Sequence, residues 1–201
     1  MAAHWDRVYR EKDWRDVSWF QDDPQVSTAL IEQSGIGWDA AIIDVGGGAS
    51  VLGLQLLAAG FRDVTLLDVA ESAVATARDE LGFTGNTVTA DVTRWQPRRR
   101  YRLWHDRAIF HFLTAAADRE AYRWTLEAAI DPDGWMVLGT FAADGPEQCS
   151  GLPTARHDAD ALAAEFPGWQ VVATRREEHR TPWGAVQPFT WLLLRHVSRE
   201  T

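Results

Sequence analysis

Four aspartates and a run of glycines carry the most legible chemistry in this chain. The stretch "DVGGGAS" places Asp44, Gly46, Gly48 and Ser50 directly after the apolar run "AAII". Glycine permits positive φ and close backbone approach, so such a turn suits a bound small molecule. Asp44 stands two residues before the first glycine, where a carboxylate repels a pyrophosphate and attracts a cationic amino group. Asp68 follows Gly48 by about twenty residues, the spacing at which a carboxylate accepts hydrogen bonds from ribose hydroxyls. Asp91, in "TADV", is placed to accept from an adenine amino group while the Val92 backbone reads the ring edge. Asp106, in "WHDRAIFHFL", ends a fourth apolar run and is expected at the rim of the same cleft.

Those positions need strands to hold them. Apolar runs of strand length, "AAIIDV", "VTLLDV", "NTVTAD", "YRLWHD", "GWMVLGTF", "WQVVATR" and "TWLLLRH", alternate with helical patterns over 51–59, 72–81, 118–130 and 158–166. Such alternation implies right-handed crossovers and an α/β, Rossmann-like doubly wound sheet of seven strands, mainly parallel, with ligands at the carboxyl ends of the strands. The segment between the last two runs holds Pro182, Gly184 and Pro188 and no helical pattern. The final strand is therefore expected to be antiparallel. A further helix is expected in "PQVSTALIEQSG", closed by Gly35. A nicotinamide dinucleotide would need a third glycine where Val51 stands, which with Asp44 argues against an oxidoreductase of that kind.

Bulk properties narrow the partners. A chain of 201 residues and 22.6 kDa suits one domain over 1–201, with 1–22 as an N-terminal segment and 23–201 as the core. The net charge of −9 repels a phosphate backbone, and the one basic run, Arg98 to Arg100, reads as a solvated loop, so no nucleic-acid partner is expected. Asp44 and the glycines interrupt the most apolar region, leaving no membrane span, and "MAAHWDRVYREKDW" lacks the apolar core of a secretory signal. With a single cysteine, Cys149, no disulfide framework forms, and the expectation is a cytoplasmic protein. No His, Cys or Asp grouping has metal-ligand spacing, so no catalytic metal is expected.

"DVGGGAS", "LLDVA" and "ADV", in that order, resemble the cofactor motifs of class I S-adenosylmethionine-dependent methyltransferases, over roughly Trp5 to His196. The resemblance implies S-adenosylmethionine as cofactor, with S-adenosylhomocysteine as product. By that similarity Asp44, Gly46 and Gly48 hold the methionine part, Asp68 the ribose, and Asp91 with Val92 the adenine, while Val69 and Ser50 also bind the cofactor and Asp106 borders the site. Ser50 stands where many members have a third glycine. "WDRVYREKDWRDVSWF" looks like the N-terminal lid of small bacterial methyltransferase-domain proteins, which nominates Trp14 and Trp19 for contact with cofactor or substrate. "DRAIFHFL" is similar to segments of both thiopurine-type and elongation-factor lysine-type methyltransferases.

The implied activity is methyl transfer to a small-molecule nucleophile, possible acceptors including a thiol or another soft group. A protein lysine is the alternative acceptor, and a non-catalytic cofactor-binding module is the alternative from another class. His111 and His179 are the candidate general bases, because an imidazole titrates near neutrality. Arg107, Arg156 and Gln187 are the candidate substrate-binding residues on the strand-end loops. Cys149, in the loop after the fifth run, reads as an inert small hydrophobe.

Overall fold

The computed structural model describes residues 1–197; residues 198–201 of the expected domain lie outside the described residues. In chain order the strands are β1 (Ala41–Val45), β2 (Asp63–Asp68), β3 (Asn86–Thr89), β4 (Tyr101–Arg107), β5 (Ile130–Phe141), β6 (Gln148–Cys149), β7 (Leu152–Pro153), β8 (Trp169–Arg180) and β9 (Val186–His196). Seven of them form one sheet in the order β3-β2-β1-β4-β5-β9-β8, and β6 pairs with β7 in a separate two-residue ribbon. β1 to β5 pair in parallel, whereas β9 runs antiparallel to both of its neighbours. The expected seven-stranded, mainly parallel sheet with an antiparallel last strand is therefore the observed one. The order reverses between β1 and β4, the place where a doubly wound sheet opens a crevice.

Consecutive strand residues face opposite sides, and both sides are covered. Ile42, Leu66, Leu103, Val137 and Leu193 pack on one face with Leu30 and Ile31 of α2 (Gln25–Gln33) and Leu52 and Leu56 of α3 (Leu52–Ala59). Their neighbours Ile43, Leu67, Trp104, Leu138 and Leu192 pack on the other face with Tyr122 and Leu126 of α5 (Ala116–Ala129) and Leu162 of α6 (Ala159–Ala164). None of the described helices is long and apolar enough to cross a membrane.

Three local features differ from the sequence expectation. Residues Ala2–Glu11 form a helix, α1, where only an aromatic segment was read. Trp5, Val8 and Tyr9 stand at helical spacing, but the stripe is short and set among charges, so it acquires a partner only in the folded protein. That partner is α4 (Glu71–Asp79): the Asp6 carboxylate accepts from the Ser72 backbone N–H at 3.1 Å and the Ser72 hydroxyl at 2.8 Å, which holds its pKa below the ordinary value. Second, Phe110–Phe112 is a single 3-10 turn, in a stretch to which the sequence reading assigned no element. Third, the β6–β7 ribbon falls in the segment read as an open loop.

Candidate functional site

Register decides which side chains meet at the strand ends. β1 and β4 pair so that Asp44 lies beside His105, and both side chains take the α2 face. Asp44 Oδ1 is 2.7 Å from His105 Nδ1, and His105 Nε2 is 2.9 Å from Ser27 Oγ on α2. The other carboxylate oxygen of Asp44 is buried and has no protein partner. Asp68 lies on the same face of β2 and accepts from the backbone N–H groups of Ala70 at 2.9 Å and Gly48 at 3.2 Å. Burial pushes its pKa up to about 6, against the effect of those donors. The glycine turn is packed to the limit: a Cβ on Gly47 would lie 2.2 Å from Asp44 Oδ2, and one on Gly48 would lie 2.5 Å from the Ala73 methyl. Gly46 turns the chain at φ +74°. Ser50 accepts from the Leu52 N–H at 3.1 Å and so braces the start of α3.

Two cavities open on this rim and share Trp19, Gly46 and Arg107 as walls. The larger encloses about 800 Å³, counting its open mouth. Asp68, Val69, Asp91 and Val92 line it together with the aromatic side chains of Trp5, Tyr9, Trp19 and Phe112 and with Cys149. Asp91 is held by Thr93, whose N–H and hydroxyl both donate to its Oδ1, at 2.9 and 2.7 Å. The smaller cavity, about 480 Å³, is lined by Asp44, His105, Ser27, Gly47, Ser50 and Pro24 among others. Arg107 donates through Nη1 to the Trp19 carbonyl at 2.8 Å and lies over the Phe189 ring, while its Nε and Nη2 are buried without a partner.

Several nominated residues lie elsewhere. Asp106 does not border the cleft: it is fully buried on the opposite face of the sheet, because it sits one residue from His105 and strand side chains alternate. Its carboxylate accepts from Ile109 N–H at 2.8 Å, Phe110 N–H at 3.2 Å and the Tyr122 hydroxyl at 2.6 Å, and burial raises its pKa to about 6. His111 is enclosed by Phe112, Phe141 and Phe189, and burial drives its pKa down to about 3. Its Nδ1 accepts from the Phe141 N–H at 3.3 Å, so it is a neutral core residue at ordinary pH. His179 donates from Nε2 to the Ser18 carbonyl at 2.7 Å and so anchors the segment that carries Trp19. Arg156 is tied to Gly145 O and Glu147, and Gln187 lies opposite His179 in the β8–β9 ladder; neither lines either cavity. Trp14 packs against Phe20 and under Arg15 and lines neither cavity itself.

The sequence left other wall residues unread. Trp5 and Tyr9 project from α1 at i and i+4, a signal that was present but too short to stand alone. Cys149, read as inert, reaches the cleft wall through the β6–β7 ribbon, and burial pushes its thiol pKa up. Ala108 adopts φ 74°, which turns the chain after β4 and brings Ile109 over Gly46; only coordinates reveal such backbone strain.

Comparison with solved structures defines the class of fold. A chain solved in work on the conversion of a disulfide bond into a thioacetal group during echinomycin biosynthesis is 21% identical, with a TM-score of 0.76 over 100% of this chain and 94% of that one. An S-adenosylmethionine-dependent methyltransferase from Anabaena variabilis is 16% identical, with a TM-score of 0.73 over 97% of this chain and 94% of that one. The 1,6-didemethyltoxoflavin-N1-methyltransferase of Burkholderia thailandensis, solved with S-adenosylhomocysteine, is 19% identical, with a TM-score of 0.70 over 98% of this chain and 84% of that one. No family model and no curated protein matches the sequence. At these identities the likeness establishes the fold alone, a Rossmann-like α/β fold shared with solved S-adenosylmethionine-dependent methyltransferases.

Proposed function

We propose that the protein is an S-adenosylmethionine-dependent methyltransferase acting on a small-molecule nucleophile. The observation that carries this is the joint placement of Asp44, Asp68 and Asp91 around two cavities joined by the glycine turn, with Asp44 Oδ2 buried and unpartnered. An unsatisfied buried carboxylate oxygen is costly unless a ligand donor meets it. A cofactor ammonium fits Asp44, ribose hydroxyls fit Asp68, and an adenine amino group fits Asp91 beside Val92. When bound, the cofactor supplies an electrophilic methyl group on a sulfonium.

The chain's own share is alignment and exclusion of water. Residues 1–22 act as the lid: α1, clasped to α4 by Asp6 and Ser72, lays Trp5 and Tyr9 across the larger cavity, and His179 fixes the backbone beside Trp19. Aromatic faces suit a cationic sulfonium. Arg107, which lines both cavities with two buried nitrogens unpartnered, would repel a lysine ammonium, and this favours a small anionic or soft acceptor over a protein lysine. Burial raises the pKa of both Tyr9 and Cys149, so neither acts as a base at neutral pH. An acceptor that arrives as its own anion, such as a thiolate, needs no base.

Calorimetric titration with S-adenosylmethionine and S-adenosylhomocysteine tests the cofactor assignment, and absence of saturable binding would remove it. Transfer of labelled methyl groups to thiols and other anionic acceptors, with lysine peptides as the contrast, then separates enzyme from binding module. The affinity should also depend on pH. A pKa raised to about 6 leaves Asp68 protonated below that value in the unliganded protein, and the ionised form is the better acceptor for ribose hydroxyls. Affinity is therefore expected to rise with pH through about 6 and level off above it, and Asp68→Asn should flatten that step. A pH-independent wild-type affinity between 5 and 7 would contradict it.

A further inference from the structure

We propose that His105, itself held by Ser27, is a positioning residue that fixes the aim of Asp44 toward the amino end of the cofactor. The inference rests on the cofactor assignment above and adds to it a residue whose role lies one bond behind the ligand.

The geometry leaves little freedom. Asp44 is 2% exposed, His105 2% and Ser27 1%, so all three are buried at the cavity wall. An ionised carboxylate only accepts, so the proton of the 2.7 Å contact belongs to His105 Nδ1. Nε2 is left to pair with the Ser27 hydroxyl, 2.9 Å away. Both ring nitrogens are thereby committed, and Trp191 lies beside the ring at 6.2 Å between centroids. Asp44 Oδ1 is used on the protein side, which turns Oδ2, the oxygen without a partner, to the smaller cavity. A Cβ on Gly47 would lie 2.2 Å from that oxygen, so only glycine at 47 leaves it room. Ser27 belongs to α2, which follows the lid segment, so the chain of contacts also ties the cavity floor to the helix entered through Pro24.

Aspartate, histidine and serine at these distances also form the constellation that activates a nucleophilic serine in hydrolases. Here Ser27 Oγ sits within a regular helix and is buried, which favours an anchoring role. The experiment separates the two.

Binding of S-adenosylhomocysteine and of 5′-methylthioadenosine, which lacks the amino-acid part, is compared in wild type, His105→Leu, His105→Asn and Ser27→Ala. His105→Leu should weaken S-adenosylhomocysteine by about tenfold or more and leave 5′-methylthioadenosine unchanged, the size expected for a hydrogen bond to a charged group. The Asn amide can donate from the place of Nδ1, so His105→Asn should restore most of the affinity. Nitrogen-15 spectra of wild type should give a protonated Nδ1 and an unprotonated Nε2 for His105, and Ser27→Ala should mix the tautomers while weakening S-adenosylhomocysteine a few-fold. Should His105→Leu not fold, the other two variants and the spectra still decide the matter. Equal loss of both ligands in the variants, or loss of neither, overturns the positioning role while the cofactor assignment stands. Failure of wild type to bind either ligand removes both. Labelling of Ser27 by a fluorophosphonate would overturn the anchoring role in favour of a nucleophile.

Discussion

Asp68→Ala is expected to weaken S-adenosylhomocysteine binding by about 100-fold while lowering thermal stability only slightly. Two ribose hydroxyls donating to one carboxylate make charge-assisted bonds, each worth roughly 1.5–3 kcal/mol, so losing both removes about 3 kcal/mol at the least. The same substitution frees the N–H groups of Gly48 and Ala70, which the carboxylate now holds at 3.2 and 2.9 Å, and the loop that approaches the ligand loses its brace. Stability suffers less, because burial already disfavours the ionised carboxylate and the site lies on a cleft that water can enter. Calorimetry and thermal unfolding of the same preparation check both halves. An affinity within about threefold of wild type would contradict the ribose assignment, since a charge-assisted pair cannot be lost so cheaply.

Asp106→Ala should have the opposite signature. This carboxylate is fully buried and satisfies three donors, Ile109 N–H, Phe110 N–H and Tyr122 O–H, and the Tyr122 oxygen in turn accepts from Trp104 Nε1 at 2.7 Å. Removing it strands those donors in a network with no access to water, at a cost of about 3–5 kcal/mol. For a chain of this length that corresponds to a fall of about 10 °C in the melting temperature. Asp106→Asn, which keeps one acceptor oxygen, should lose distinctly less. A melting temperature of Asp106→Ala within about 2 °C of wild type would mean that the turn after β4 is held by other contacts. The two aspartates thus look alike in sequence, each ending an apolar strand, yet one is expected to govern binding and the other folding.

Their difference marks the boundary between sequence and structure. Strand–helix alternation, the glycine turn and the carboxylates at the ends of β1, β2 and β3 were legible because each is local: periodicity, φ freedom and position along a strand are written in neighbouring residues. The antiparallel last strand followed from the proline and glycine content of its connection. Asp106 was misplaced because position along a strand was read without side-chain alternation, which sends His105 toward α2 and Asp106 toward α5. His111 and His179 were nominated by residue type, but burial decides what an imidazole can do, and burial depends on elements far apart in the chain.

The sequence by itself determined the class of sheet, the turn at the end of β1 and the acidic positions that face it. Only the tertiary structure decided that α1 brings Trp5 and Tyr9 into the cleft wall beside Cys149, that Arg107 keeps two nitrogens unpartnered, and that Asp44 is held by His105. The reason is physical. Local propensity fixes each element, whereas the partners of a polar group are set by which elements pack together, and that packing is a property of the whole chain.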